Sequence, residues 1–178
     1  MRILIGLRVA GLLLVAAAWT TQSAAPGSAA APETLASAAP AEGFALNTGL
    51  TLVTLAGRAT AADMLDTLTP GRAVFLVLSD LHAAAPSGVT YELYLDVPAG
   101  AVPRRSWAGH VGTLDVFAGA RSGGAVRQGR VSYDVTNALE RLRARRVLAQ
   151  AVTLTIVPEQ PPAAGAQAVI GRVDLVMQ

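Results

Sequence analysis

From residue 50 onward the chain is a succession of short segments in which apolar and polar residues alternate, each closed off by glycine or proline. Leu50 to Leu55 (LTLVTL) sets this pattern, and Tyr91, Leu93, Leu95 and Val97 then alternate with Glu92, Tyr94 and Asp96. Leu114 and Val116 alternate with Thr113 and Asp115, and the same period links Val131, Tyr133 and Val135, then Val152, Leu154 and Ile156. A period of two puts one set of side chains in a core and the other outside it. Val74 to Leu78 is continuously apolar, which predicts a central strand covered on both faces. Pro86-Ser87-Gly88, Pro98-Ala99-Gly100, Gly119 to Gly124 and Pro161-Pro162 end the segments before any of them becomes long. A mainly β fold follows: an antiparallel β-sandwich, jelly-roll-like, with one or two short helices.

The helices have their own signatures. Ala59 to Leu68 places Ala62, Leu65 and Leu68 on one side at helical spacing before Pro70-Gly71 stops it. Further on, Val135, Ala138, Leu139 and Leu142 form an apolar stripe, and Asn137 with Glu140 reads as an N-terminal capping pair. Arg141, Arg143, Arg145 and Arg146 crowd the end of this second helix. Cations at the negative end of a helix dipole account for them more economically than an anion or partner site does.

The N-terminus follows a different logic. Arg2 and Arg8 flank an apolar run, Val9 to Ala18, and small residues follow through Ala25. That order predicts a secretory signal peptide over residues 1–23, because the apolar run is too short to span a bilayer. The chain stays on a membrane only if this segment is not cleaved. Residues 24–42 are rich in Ala, Pro and Ser and read as a flexible tether, with one folded domain over 43–178. The expected location is therefore exported, periplasmic or secreted.

Export also resets the charge. The 178 residues include no lysine and no cysteine, and without Arg2 and Arg8 the 12 remaining arginines balance 12 acids. A neutral chain lacks the basic face of a nucleic-acid binder, so no nucleic-acid partner is expected. A cysteine-free exported domain of this size can hold together on its core alone.

Five runs carry a resemblance: Ala73 to Leu81, Val89 to Pro98, Val111 to Ala118, Ala151 to Pro158 and Val169 to Val176, with the short helix before the fourth. Within them stand Tyr91 to Pro98, His110 to Gly119, Tyr133-Asp134-Val135-Thr136, Val152 to Pro158 and Ile170-Gly171-Arg172-Val173. In order and spacing this set resembles the C-terminal β-domain of tyrosinases and polyphenol oxidases, from about Arg72 to Val176. The resemblance implies a domain that in those enzymes packs over a type-3 copper site and keeps it latent. It also implies a partner, a separate tyrosinase or polyphenol oxidase catalytic protein. The copper-binding domain itself has no counterpart here.

The residue inventory fits that reading. A copper pair needs several converging imidazoles, and the chain offers only His82 and His110, with Met64 and Met177 as soft donors. These show no ligand spacing, so no metal ligand, cofactor-binding or catalytic residue is assigned, and no cofactor is expected. The alternative of a copper-delivery accessory, resembling the caddie proteins of bacterial tyrosinases, rests on those four residues. A general envelope or glycan-contact protein is a third reading. Asp63 and Asp66 read as surface carboxylates, the glycines of 119–129 as a loop without phosphate-loop order, and no Gly-x-Ser-x-Gly elbow is present. Trp107, after Arg104-Arg105, is equally suited to the core and to partner contact.

Overall fold

Two antiparallel sheets face each other across one core in the computed structural model, which describes residues 31–68, 70–84, 88–116, 129–163, 165 and 167–178. The elements run β1 (Glu33–Ala38), β2 (Phe44–Leu46), β3 (Thr51–Thr54), β4 (Ala56–Gly57), α1 (Ala61–Asp66), β5 (Val74–His82) and β6 (Thr90–Leu95). There follow β7 (His110–Asp115), β8 (Gly129–Asp134), α2 (Thr136–Ala144), β9 (Thr153–Pro158) and β10 (Ala168–Met177). The first sheet has the order β4-β1-β10-β5-β8, with β2 also paired to β10, and the second has the order β3-β9-β6-β7. The fold is a β-sandwich, as the alternating pattern predicts.

Core residues come from the apolar positions of that pattern. Leu76 and Leu78 of β5, Tyr91, Leu93 and Leu95 of β6, Leu154 and Ile156 of β9, and Val173 and Leu175 of β10 are all buried in one cluster. Val77, on the other face of β5, is buried as well, as a continuously apolar central strand should be. Ala138, Leu139 and Leu142 of α2, and Ala61, Met64 and Leu65 of α1, join the same core.

Local irregularities fix the register. Asp80 sits in β5 with a φ of 56° and makes a bulge against β8, between the pairs Ser79–Arg130 and Leu81–Gly129. Opposite it in β10 lies Gly171, where a Cβ would come within 2.6 Å of the Asp80 Cβ. Glycine is needed there because the neighbouring strand already fills the space. At the far edge, the Tyr133 hydroxyl of β8 donates to the Thr113 carbonyl of β7 at 2.7 Å, tying one sheet to the other.

Two expectations are corrected. Residues 33–38, read as part of a flexible tether, form β1, paired with β10 on one side and β4 on the other. The ordered domain thus begins at least ten residues before Gly43. Mostly small side chains conceal such a strand from a search for large apolar residues; its stabilisation comes from backbone pairing to β10, from buried Ala36, and from Leu35 and Ala38 packed against the core. Asn137 does not cap α2, which starts one residue earlier, at Thr136. Asp134 accepts the Thr136 N–H at 3.0 Å, and Thr136 Oγ1 accepts the Val74 N–H at 2.8 Å. The reason is Val135, fully buried, which pins the strand-to-helix junction before Asn137 is reached. The real capping box lies on α1, where the Thr60 hydroxyl accepts from the Asp63 N–H and Asp63 returns the bond to the Thr60 N–H. The Thr60 hydroxyl also donates to the Asp63 carboxylate at 2.7 Å, and this bond, with the one from the Thr60 N–H, holds the Asp63 carboxyl below its usual range.

The 1–23 segment and the start of the tether lie outside the described residues, as does the loop read at 119–129 apart from Gly129. Among the described residues no helix is long and apolar enough to cross a membrane.

Tyr91 is buried at the centre of the sandwich, and its hydroxyl has no hydrogen-bond partner. Burial also pushes its pKa up. An unpaired buried hydroxyl costs stability, so Tyr91→Phe should leave the unfolding free energy unchanged or raise it by up to about 1 kcal/mol. Urea denaturation checks this, and a loss above about 1 kcal/mol would show that the hydroxyl is bonded.

Candidate functional site

The outward positions of β6 are where the structure departs most from a plain two-faced strand. Alternation places Glu92, Tyr94 and Asp96 outside, yet they are only 6%, 4% and 5% exposed. Two things bury them. The Pro98–Gly109 connection brings Arg105 back over the sheet, and β7 carries a bulge at Val111. The register there passes from Leu93–Gly112 to Tyr94–His110. Without the extra residue His110 would lie opposite Leu95 on the core face; the bulge turns it onto the outer face beside Tyr94. The Tyr94 and His110 rings then stand 5.2 Å apart, tilted by 47°.

Glu92 is the hub of this outer cluster. One carboxylate oxygen accepts from His110 Nε2 at 2.7 Å, and the other accepts from Arg105 Nε at 2.7 Å. A terminal nitrogen of Arg105 pairs with both Glu92 and Glu159, the residue just beyond β9. Because a carboxylate only accepts, His110 carries its proton on Nε2. Burial raises the Glu92 carboxyl, but the hydrogen bonds from His110 and Arg105 outweigh it and hold it below the usual range. Burial, and then the Glu92 charge, pushes the Tyr94 hydroxyl up. Every charged member of the cluster has its counter-charge at hand, so the arrangement is a closed network.

A second buried carboxylate has a positional task. Asp96, at a φ of 46°, accepts from the N–H groups of Ala149 and Thr153 and from Thr153 Oγ1, at 2.7 to 3.1 Å. It anchors the connection from α2 into β9. Sequence reading saw Glu92 and Asp96 as outward-facing polar residues. Their signal was that two acids flank an aromatic on a strand otherwise built of large apolar residues.

The structure disperses the four candidate copper donors. His82 is exposed at the end of β5, its Nδ1 3.0 Å from the Asp80 carbonyl. Met177 lies beside Val74 at the opposite end of the same strand pair, roughly 27 Å away at 3.4 Å per residue. Met64 is buried in α1, and His110 is engaged by Glu92. Among the described residues no three of His, Cys, Asp or Glu are grouped to hold a metal ion. The residues present do not fit a coupled copper pair.

The remaining candidates have structural partners. Trp107 packs against the core and donates from its indole nitrogen to the Leu95 carbonyl at 2.9 Å. Its rim, with Val97, Pro98, Val102 and Arg104, lines a shallow surface pocket, so it belongs to both core and surface. Asp66 pairs with Arg143 at 2.6 Å, joining α1 to α2, and Arg141 donates to the Ala108 carbonyl at 3.0 Å. Arg145 and Arg146 are exposed.

The depressed Glu92 pKa fixes a sign. Its ionised form stabilises the fold in full above about pH 4.3, the value of an unfolded glutamate, and that contribution is lost as pH falls through the lower folded value. Glu92→Gln should therefore cost about 2 kcal/mol at pH 7, and the gap between the two proteins should close on acidification below about pH 4.3. Denaturation midpoints from pH 3 to pH 7 measure it; a gap independent of pH would remove Glu92 as the hub.

Solved structures share the fold. A latent aurone synthase (polyphenol oxidase) from a natural source matches with a TM-score of 0.50 and 13% identity, over 75% of this chain and 26% of that one. A latent apple tyrosinase matches with a TM-score of 0.49 and 13% identity, over 75% of this chain and 27% of that one. The chain spans about a quarter of the length of these oxidases, which fits a C-terminal β-domain without the catalytic part. None of the curated proteins matches. A family model covers residues 34–178, which takes in β1 and the rest of the sandwich, and the chain belongs to that family, described as Domain of unknown function (DUF7868).

Proposed function

We propose that this chain is an exported, non-catalytic β-sandwich that acts as an interaction or shielding module for a separate type-3 copper oxidase. One observation carries the reading: the sandwich shares its fold with a quarter of a latent polyphenol oxidase. The state of the polar residues supports it. Glu92 is bonded by Arg105 and His110, Arg105 also pairs with Glu159, and Asp96 is spent on backbone N–H groups and the Thr153 hydroxyl. Such groups shape a surface; a general base or a nucleophile needs a free valence. The scattering of His82, His110, Met64 and Met177 favours shielding over copper delivery.

In this reading the domain covers a copper-site entrance in trans, supplying as a separate chain what the oxidases carry in one polypeptide. The N-terminal signal pattern would deliver it to the compartment where an exported oxidase works.

The purified chain is to be mixed with a tyrosinase that lacks its own C-terminal domain. The expected outcome is a complex on size-exclusion chromatography and a several-fold fall in diphenol oxidation, reversed by dilution. Separate elution with unchanged activity across a range of oxidases would sink the reading.

A further inference from the structure

Among the described residues the two sheets have four lateral edges, one of them divided between β4 and β2, and all but the β3 edge are blunted. β4 is only two residues long and β2 only three. β8 carries Arg130 and Asp134 and faces the Asp80 bulge. β7 carries its own bulge at Val111, ends in Asp115 and is latched by Tyr133. Short length, charge and bulges are the usual devices that stop a sheet edge from pairing with another chain.

β3, four residues long, carries neither a charge nor a bulge. Residues 50–55 contain no charge, no proline and no glycine, and β3 pairs with β9 alone. Leu50 and Leu52 are 53% and 58% exposed, while Val53 and Leu55 point into the core. The backbone direction follows from the ladder. Leu55 N–H donates to the Val152 carbonyl at 2.9 Å, so Val53 and Thr51, two and four residues back, also turn their polar groups toward β9. Leu52 and Thr54 therefore direct their N–H and C=O groups away from the sheet.

From this we infer that β3 is a self-association edge and that its occupant is the β3 of a second copy, antiparallel across a two-fold axis. The uncharged sequence is the argument for a second copy: it can meet itself with no like charges opposed, and the matching register is defined. Leu52 pairs with Leu52 of the other copy through the two outward-facing groups of each, and Thr54 pairs with Leu50. Leu52 then packs on its own counterpart, and both exposed leucines are covered. The same geometry joins two four-stranded sheets into one of eight. The contact is small beside the ~1,000 Å² that a stable interface clears, so the dimer should be weak and concentration-dependent.

The chain has no cysteine, which makes the register directly testable. Directly opposed residues in a hydrogen-bonded antiparallel pair have Cα atoms about 5.5 Å apart, within disulfide reach. Leu52→Cys should give a disulfide dimer under mild oxidation at least tenfold faster than Thr54→Cys, whose side chain faces Leu50 instead. Sedimentation of the cysteine-free protein should show association that Thr54→Pro abolishes. That change removes an outward N–H and no internal hydrogen bond, so the fold should persist, as circular dichroism would verify. Equal cross-linking of the two cysteine variants, a monomer at all concentrations, or association undiminished in Thr54→Pro would each overturn the inference. A monomer that still recruits an extended segment of another protein at β3 would assign the edge to that occupant instead. None of these measurements depends on an oxidase.

Discussion

The pairing of β5 with β10 is the constraint on which the first sheet depends. β10 is ten residues long, takes β5 along one side, and offers the other side to β2 and then β1. Val74 lies opposite Met177 and His82 opposite Val169, so the strands match over almost their whole length although everything from β6 to β9 lies between them in sequence. Loop-closure entropy grows only slowly with length, but it must be met before such a contact forms. The sheet therefore cannot assemble until the C-terminal strand is in place. Asp80 and Gly171 protect the register, since sliding by one residue would put a Cβ where Asp80 already stands and would turn Val173 and Leu175 out of the core.

The second sheet is shaped by a single inserted residue. Without the bulge at Val111, His110 would be an imidazole facing the apolar core next to Leu95, and Glu92 would lose one of its two partners. With it, four ionisable groups from β6, the Pro98–Gly109 connection, β7 and the end of β9 meet on one outer face. The network joins three neighbouring strands at their side chains, in addition to the ladder that joins them at the backbone. Arg105 lies exposed over the face and shields what is beneath it, so Glu92, Tyr94 and Thr155 can be nearly as dry as a core.

How much of this the sequence declared depends on whether side chains or backbone carry the element. β5, β6, β9 and β10 were legible because large residues alternate or run together, and α2 because Ala138, Leu139 and Leu142 keep helical spacing. β1 was invisible: Leu35 is its one large apolar residue, too little for a periodic signal, and pairing to a strand some 140 residues later is a non-local fact. The Glu92 cluster escaped for a related reason. Its members span residues 92 to 159, and only the bulge, which alternation cannot reveal, brings His110 to the correct face. Asp63 and Asp66, read as ordinary surface carboxylates, differ only through what stands near them, the Thr60 cap and Arg143.

These distinctions bear on where a partner can gain binding energy. A charge that already has its counter-charge offers a newcomer little, because breaking the Arg105–Glu92 contact leaves a buried carboxylate with only one of its two partners. The closed network is therefore better suited to hold the outer face in shape than to bind. Unpaired backbone groups and exposed leucines are the opposite case, since covering them removes apolar area from water and satisfies donors and acceptors together. On the second sheet these two kinds of surface lie side by side: Leu52 neighbours Thr155, which neighbours Tyr94 and then His110. The sheet is thus rigid and electrostatically sealed at its β7 side and open at β3. Association directed to one edge, with the rest of the face fixed in shape beside it, is what that asymmetry favours.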